Sequence, residues 1–168
     1  MRYNKIRKMD IADGPGVRVS IFMQGCTFNC KNCFNPETHD FNGGKEFTDD
    51  TIARVLELCE NENIEGLSIL GGEPMHPKNI DGTTKLAKEF KEKYPNKNIW
   101  VWTGFLFEYL RNDQSQRSEL LKIIDVLVDG PFMHHLYKPN LPYKGSLNQR
   151  VIDVQKSLVD GRIHEYII

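Results

Sequence analysis

Short apolar runs and longer helical patterns alternate along this chain. Residues 17–23 alternate between apolar and polar positions and end apolar, while residues 67–70, 99–102 and 125–128 are short runs rich in β-branched or aromatic residues. Runs of this length and composition predict strands. Trp100 and Trp102 alternate within one predicted strand, so we expect them to share a face and to pack against the core or against helices.

Helical periodicity fills the intervals between the predicted strands. Residues 48–62 have Thr48 as a plausible N-cap and apolar side chains spaced i, i+3, i+4 and i+7 at Ile52, Val55, Leu56 and Cys59. This spacing predicts a buried Cys59, packed like a small apolar residue. A second helix is predicted over residues 83–94, before Pro95, and a third over residues 118–124.

The order of these elements predicts an α/β fold. Strands that alternate with helices form right-handed crossovers and a parallel sheet. A complete (β/α)8 barrel takes about 250 residues, so a chain of 168 residues can form only part of one. We therefore expect a single domain over residues 1–168, a partial TIM-type barrel with an open side.

An unusual sequence follows each of the four predicted strands. Residues 24–26 follow the first strand, 71–74 (Gly-Gly-Glu-Pro) the second, 103–104 (Thr-Gly) the third, and 129–132 (Asp-Gly-Pro-Phe) the fourth. Ligands and catalytic groups collect at the carboxyl ends of parallel strands. The sequence therefore predicts one site at one edge of the sheet.

Three cysteines carry the strongest chemical signal. Cys26, Cys30 and Cys33 form C-x3-C-x2-C, which offers a metal site three thiolates and no fourth. Four cysteines normally hold an iron–sulfur cluster, so three leave one iron open, and an open position on a metal is usually where chemistry occurs. A zinc site with His39 as the fourth ligand is the alternative interpretation.

Composition excludes several function classes. Lys and Arg number 22 and Asp and Glu 23, for a net charge of −1, and no block of like charge indicates nucleic-acid binding. No apolar stretch approaches the roughly 20 residues of a membrane helix, and no signal peptide is recognisable. We expect a cytoplasmic protein, where clustered cysteines more often bind metal than form disulfides.

The cysteine spacing, followed by the aromatic Phe34, resembles the cluster motif of the radical S-adenosylmethionine (SAM) superfamily. Residues 71–74 alone would be an ordinary turn, but downstream of the cysteines they resemble the GGEP motif of the same enzymes. The resemblance implies a [4Fe-4S] cluster whose open iron binds SAM. An electron from the cluster would then release methionine and a 5′-deoxyadenosyl radical that abstracts a hydrogen atom.

Four further motifs stand out: Asp-Gly-Pro-Gly at 13–16, Trp-Thr-Gly-Phe at 102–105, Val-Asp-Gly-Pro-Phe at 128–132 and Lys-Gly-Ser-Leu-Asn-Gln-Arg at 144–150. They are similar to motifs of one family within this superfamily, the activating proteins of anaerobic ribonucleotide reductases. The resemblance implies a glycine of the large reductase subunit as substrate, a glycyl radical as product, and an electron donor such as flavodoxin.

The resemblance also implies roles for individual residues, with no catalytic residue beyond the cluster and SAM. The cluster ligands would be Cys26, Cys30 and Cys33. Contacts to the adenine end of SAM would come from Asn32 and Phe34, and contacts to its methionine end from Gly71, Gly72 and Glu73. Ribose or methionine contacts are assigned with less weight to Thr103, Gly104 and Asp129, for which a role in a turn or at a strand end is an equal alternative.

Three alternative functions stay open at this point. The activases of pyruvate formate-lyase resemble the chain at the cluster motif but are longer. A small-molecule radical SAM enzyme, such as a deazaguanine-forming synthase, would need an enclosed substrate pocket. A non-enzymatic zinc module is the third alternative.

Overall fold

The computed structural model describes residues 1–168 as a mixed α/β structure. A seven-stranded sheet is formed by β1 (Arg2–Asp10), β2 (Val17–Gln24), β3 (Lys45–Glu46), β4 (Ile64–Gly71), β5 (Asn98–Trp102), β6 (Val126–Asp129) and β7 (Arg150–Asp153). Five helices accompany it: α1 (Asp49–Leu58), α2 (Ile80–Lys93), α3 (Phe107–Arg111), α4 (Gln116–Leu121) and α5 (Val154–Asp160). No helix is both long enough and apolar enough to cross a bilayer.

The sheet is parallel in its middle and antiparallel towards both edges. The strand order is β3-β1-β2-β4-β5-β6-β7, and β2, β4, β5 and β6 run parallel to one another. Strand β1 is antiparallel to β2, and β7 is antiparallel to β6. The prediction of a wholly parallel sheet is wrong at these edges. The six residues between β1 and β2 are too few for the crossover that a parallel pair needs.

The main core lies between one face of the sheet and the helices. Strand register aligns one buried apolar side chain from each of five neighbouring strands in a row across this face: Ile21, Ile69, Val101, Leu127 and Ile152. Helices α1 and α2 pack on this face through residues such as Ile52, Leu86 and Phe90. Cys59 belongs to the same core and is fully buried, which confirms the prediction for it.

The opposite face of the sheet has a smaller aromatic cluster. Trp100 is buried there with Val126 and Val128, and its ring lies 5.0 Å from that of Tyr143 and 5.8 Å from that of Trp102. The two tryptophans share a face as predicted. They pack against loop and terminal aromatic rings, away from the helices.

The predicted helices exist with shifted boundaries. Thr48 precedes α1, and its N–H donates to Thr51 Oγ1 (3.0 Å). Helix α1 ends at Leu58, short of the predicted residue 62, while α2 begins at Ile80 and α4 at Gln116, each ahead of its predicted start. Five elements were not predicted: β1, β3, α3, β7 and α5. The nine residues of β1 include four cations, which hide the apolar alternation of an ordinary strand.

Candidate active site

A cavity of about 470 Å³ opens at the carboxyl ends of β2, β4 and β5, within the size range of ligand pockets. Most of the residues predicted to form the site line it: Cys26, Cys30, Cys33, Phe34, Gly71, Gly72, Glu73, Thr103 and Gly104. The two exceptions are Asn32 and Asp129. The fold therefore brings together residues up to 78 positions apart in the sequence, from Cys26 to Gly104, as their positions after predicted strands indicate.

The cysteine loop follows β2 and is folded back onto it. Gln24, the last residue of β2, is buried, and its side-chain amide donates to the carbonyl oxygens of Glu37 (2.9 Å) and Asp40 (2.7 Å). The N–H of Gly25 donates to the carbonyl of Thr38 (2.6 Å). These bonds close both ends of the loop, so that the thiols between them face the cavity.

The three thiols are free and half-buried, and the protein surroundings raise the pKa of two of them. Burial raises the pKa of Cys26 to about 11 and also raises that of Cys30. The N–H of Asn35 donates to Sγ of Cys33 (3.4 Å), the kind of backbone bond that supports sulfur ligands. Because metals bind thiolates, loading this site must release protons.

The zinc alternative receives no support from the structure. No group of three or more His, Cys, Asp or Glu side chains has the arrangement that a single metal ion needs. His39 lines the same cavity as the cysteines but does not complete such a group. The ligands of a four-iron cluster bind separate irons, so they stand farther apart than the ligands of one tetrahedral ion.

Glu73 is a buried side chain at the cavity that is held by three hydrogen bonds. It is 1% exposed. Its Oε2 accepts from the Thr103 hydroxyl (2.7 Å) and from the N–H of Met75 (2.9 Å), and its Oε1 accepts from the N–H of Gly104 (2.7 Å). Burial raises the pKa of Glu73 to about 7, while these three hydrogen bonds and the charge of Arg117 lower it. The carboxylate thus joins the segment after β4 to the segment after β5.

Glycine is required at 71 and 72 by the protein's own backbone. A Cβ at Gly71, where φ is +129°, would lie 2.3 Å from the carbonyl oxygen of Met23. A Cβ at Gly72 would lie 2.6 Å from the carbonyl oxygen of Gly25. These distances are shorter than any real Cβ contact, so the two glycines let the end of β4 approach the start of the cysteine loop.

Asn79 joins the cysteine loop to the Glu73 segment and was missed by the sequence analysis. Its buried amide donates to the carbonyl oxygens of Gln24 (3.1 Å) and Glu73 (3.0 Å). A single asparagine before a helix is such a common residue that no local pattern marks it.

Asp129 and Asn32 do not line the cavity. Asp129 is fully buried outside the cavity, and its carboxylate accepts from the guanidinium of Arg150 (2.5 Å) and from the N–H of Phe107 (2.9 Å). It therefore ties β6 to β7 and α3. Asn32 is exposed, with a left-handed φ of 55°, and serves the turn between the second and third cysteines.

The motifs at 128–132 and 144–150 form one wall of the cavity together. The Gln149 side chain accepts from the N–H of Gly145 (2.8 Å) and donates to the carbonyl of Gly130 (2.9 Å). This holds Phe132 against Phe34, with the ring centroids 4.8 Å apart. Phe34 itself is 61% exposed at the mouth of the cavity.

The motif at 13–16 contributes one residue to the lining of the same cavity. Asp13 lines it, and the hydroxyl of Ser68 donates to its carbonyl (2.5 Å). Burial, with the nearby Asp10 carboxyl, raises the pKa of Asp13 to about 7. Arg18, fully buried beneath the loop, donates to the Ser68 hydroxyl (2.7 Å) and to the carbonyl of Pro15 (3.2 Å).

Comparison with known proteins gives a consistent result. Residues 12–152 match the family model described as a 4Fe-4S single cluster domain. The chain is 38% identical over 151 residues to the anaerobic ribonucleoside-triphosphate reductase-activating protein of Vibrio cholerae, covering 89% of this chain and 96% of the relative. Proteins with the same name are 37% identical in Escherichia coli K12 (90% and 97% covered) and 36% identical in Enterobacteria phage T4 (90% and 93% covered).

Proposed function

This chain belongs to the family of anaerobic ribonucleoside-triphosphate reductase-activating proteins, and we propose that it generates the glycyl radical of such a reductase. The reaction is abstraction of a hydrogen atom from a glycine Cα of the large reductase subunit. When bound, a [4Fe-4S] cluster supplies the electron that cleaves SAM to methionine and the abstracting 5′-deoxyadenosyl radical. The chain is accordingly a radical SAM activating enzyme.

The observation that carries this proposal is one cavity lined by three cysteine thiols and by the Gly-Gly-Glu segment. The donor set fits an iron–sulfur cluster, because three free thiols face one space and the fourth cysteine, Cys59, lies in the core. We propose that Cys26, Cys30 and Cys33 hold the cluster. Three protein ligands leave one position for SAM.

Glu73 suits the methionine end of SAM. A carboxylate has about four lone-pair sites, and Oε1 of Glu73 uses only one of its two, for the N–H of Gly104. Glu73 itself lines the cavity. We propose that it accepts from the SAM ammonium, with Gly71, Gly72, Thr103 and Gly104 as the surrounding backbone and hydroxyl contacts.

Phe34 suits the adenine end. Its ring is exposed beside Cys33 and stays in place through its contacts with Phe132 and with Tyr137, whose ring centroid lies 6.0 Å away. An aromatic ring with one free face can stack on a purine. Asn32 would support this contact through the turn it forms.

We propose that the sheet is part of a β/α barrel and that residues 1–168 form one domain. The four parallel strands follow one another in chain order, and the helices contribute to one core on a single face, as in barrel winding. Strands β3 and β7 end the sheet without pairing with each other. The resulting open side would admit a polypeptide loop to the cavity.

The remaining partners follow from the chemistry. A SAM-cleaving cluster needs a one-electron reductant of low potential, and we propose a flavodoxin-type donor. All four cysteines are free, as is usual in a reducing compartment, which supports a cytoplasmic location.

Deuterium transfer tests the proposal. The anaerobically reconstituted protein is mixed with SAM, dithionite and a large reductase subunit deuterated at glycine Cα. We expect deuterium in 5′-deoxyadenosine and a glycyl radical in the electron paramagnetic resonance spectrum. Omitting the reductase should abolish both signals, and nucleotides alone should not restore them.

Two outcomes would contradict the proposal. Label transfer from a small molecule, with none from glycine, would identify a metabolic radical SAM enzyme. Transfer only from the glycine of a pyruvate formate-lyase would keep the chemistry and change the partner.

A further inference from the structure

Arg117, at the start of α4, is a buried cation to which the proposed function assigns no role. It is 8% exposed, although arginine is rarely buried without a specific set of partners. Its only ionic partner is Asp113, at 3.0 Å. Apart from a long hydrogen bond to the Tyr109 hydroxyl (3.4 Å) and a contact with the same ring, its guanidinium contacts the two segments that flank Glu73.

The first of these contacts is to the segment that follows β4. Nε of Arg117 donates to the carbonyl of Met75 at 2.7 Å, in a buried bond. The N–H of the same Met75 donates to Oε2 of Glu73. Arg117 and Glu73 therefore hold opposite sides of one residue.

The second contact is to the segment that follows β5. The guanidinium lies over the ring of Phe105, 4.4 Å from its centroid, a distance at which cation and ring attract each other. The N–H of Phe105 donates to the Thr103 hydroxyl (3.1 Å), which in turn donates to Glu73. Arg117 thus closes a ring of contacts that runs through Met75, Glu73, Thr103 and Phe105.

We propose that Arg117 is a positioning residue for SAM, which sets the spacing of the two segments that orient the Glu73 carboxylate. This inference rests on the proposed function, because it concerns the ammonium contact of Glu73. Glu73 has no cationic side chain bonded to it directly, so its orientation depends on the segments around it. The positive charge of Arg117 also lowers the pKa of Glu73 against the effect of burial, which favours the ionised form that binds an ammonium.

The experiment compares SAM affinity with cluster content in the full-length, anaerobically reconstituted protein. Arg117→Met removes the charge and the hydrogen bond. We expect iron content to stay at the wild-type level and the Kd for SAM to rise about tenfold, as expected for a lost charged hydrogen bond. Arg117→Lys keeps the charge but not the planar fork, and its Kd should fall between the two.

Asp113→Asn is the matched control. It removes the ionic partner of Arg117 without touching Met75 or Phe105. We expect the thermal unfolding midpoint to fall. The Kd for SAM should stay within about twofold of the wild-type value, a smaller change than the loss of one hydrogen bond would cause. A purely structural Arg117 would instead lower the unfolding midpoint in all three variants without separating their affinities.

Each outcome decides between the alternatives. A wild-type Kd in iron-loaded Arg117→Met would overturn the inference. If Arg117→Met does not assemble its cluster, Phe105→Leu is measured in its place, because this variant removes the aromatic ring and leaves the bond from Arg117 to Met75. A wild-type Kd for SAM in both Phe105→Leu and Arg117→Lys would then overturn the inference. Failure of the proposed function is distinguishable, since the wild-type protein itself would then not bind SAM.

Discussion

Gly72 is required by the packing of the protein backbone around it, in addition to any contact that it makes with SAM. The resemblance assigns Gly72 to the methionine end of SAM, and the structure shows the carbonyl oxygens of Met23, Gly25 and Thr38 within 3.0 Å of a Cβ at this position. Backbone atoms cannot move aside as a flexible side chain can. The motif therefore first fits the end of β4 to the cysteine loop and only then forms a ligand surface.

Substituting Gly72 should consequently affect the cluster as well as SAM. In Gly72→Ala the new methyl group displaces Gly25, the residue before Cys26, and overpacking should lower the free energy of unfolding by roughly 1–3 kcal/mol. Urea unfolding and iron analysis measure the two effects. Gly161→Ala is the control: its φ of +71° disfavours Ala, but no atom lies within 4 Å of the Cβ, so iron should be retained. Unchanged stability in Gly72→Ala would contradict this account.

The cysteine assignment is tested residue by residue. Replacing Cys26, Cys30 or Cys33 by Ala leaves two thiolates at the cavity, so iron and sulfide should fall well below the roughly four of each that a [4Fe-4S] cluster contains. Cys59→Ala, a core substitution, should retain the cluster and lose only about 1 kcal/mol of stability. Cluster loss in Cys59→Ala together with retention in Cys30→Ala would reverse the assignment.

Among the elements, Asp129 shows that a residue at a strand end can serve the fold instead of the ligand. Its carboxylate connects β6, α3 and β7 through Arg150 and the N–H of Phe107. The pairing holds the antiparallel edge strand in place, and with it the adjacent loop of 130–149 that forms one cavity wall. Strand β7, one of the five elements that the sequence analysis did not predict, is thus bonded to a residue that it did single out.

The two acids bonded to Arg150 should differ in their importance. Asp129→Asn removes the charge of the fully buried acid, which weakens its charge-assisted hydrogen bonds with the partly exposed Arg150, and should cost about 2–4 kcal/mol of unfolding free energy. Glu108→Gln removes the more exposed partner of the same arginine, 2.6 Å away, and should cost less than about 1 kcal/mol. Urea unfolding of both variants measures this difference. Equal losses would contradict the role assigned to Asp129.

Across the whole molecule, buried carboxyl groups make stability depend on pH. The pKa of Asp13 is raised from 3.8 to about 7, so folding favours its neutral form. The stabilisation from that neutral form is complete below about pH 4 and is lost as the pH rises through 7. The pKa of Asp10 is lowered instead, so its contribution changes only at more acidic pH.

Asp13→Asn should therefore flatten the pH dependence of stability. The amide imitates the neutral carboxyl at every pH, so the unfolding midpoint of the variant should fall less than that of the wild type between pH 5 and about 8. Thermal unfolding at a series of pH values provides the test. Glu73 has a similarly raised pKa, so part of the slope should remain in Asp13→Asn and disappear only in the double variant with Glu73→Gln. Parallel curves for wild type and Asp13→Asn would contradict the prediction.

Local patterns in the sequence determined much of the site. The four central strands were predicted from short β-rich runs, and because carboxyl ends of neighbouring parallel strands meet at one edge, the residues after them were predicted to share a site. The cavity residues from Cys26 to Gly104 confirm that these segments come together. Helical spacing alone predicted that Cys59 lies in the core, since apolar residues that recur with the 3.6-residue turn of a helix can be recognised in the sequence.

Only the tertiary structure decided which residues at that edge face the cavity and which hold the fold. Asp129 ends β6, Glu73 follows β4, and both are buried acids, but one bonds Arg150 and the other bonds Thr103, partners 21 and 30 residues away. Arg117 acts on Met75 over 42 residues, with no motif around it. Such contacts depend on how distant segments pack, and periodicity and spacing describe only neighbours along the chain.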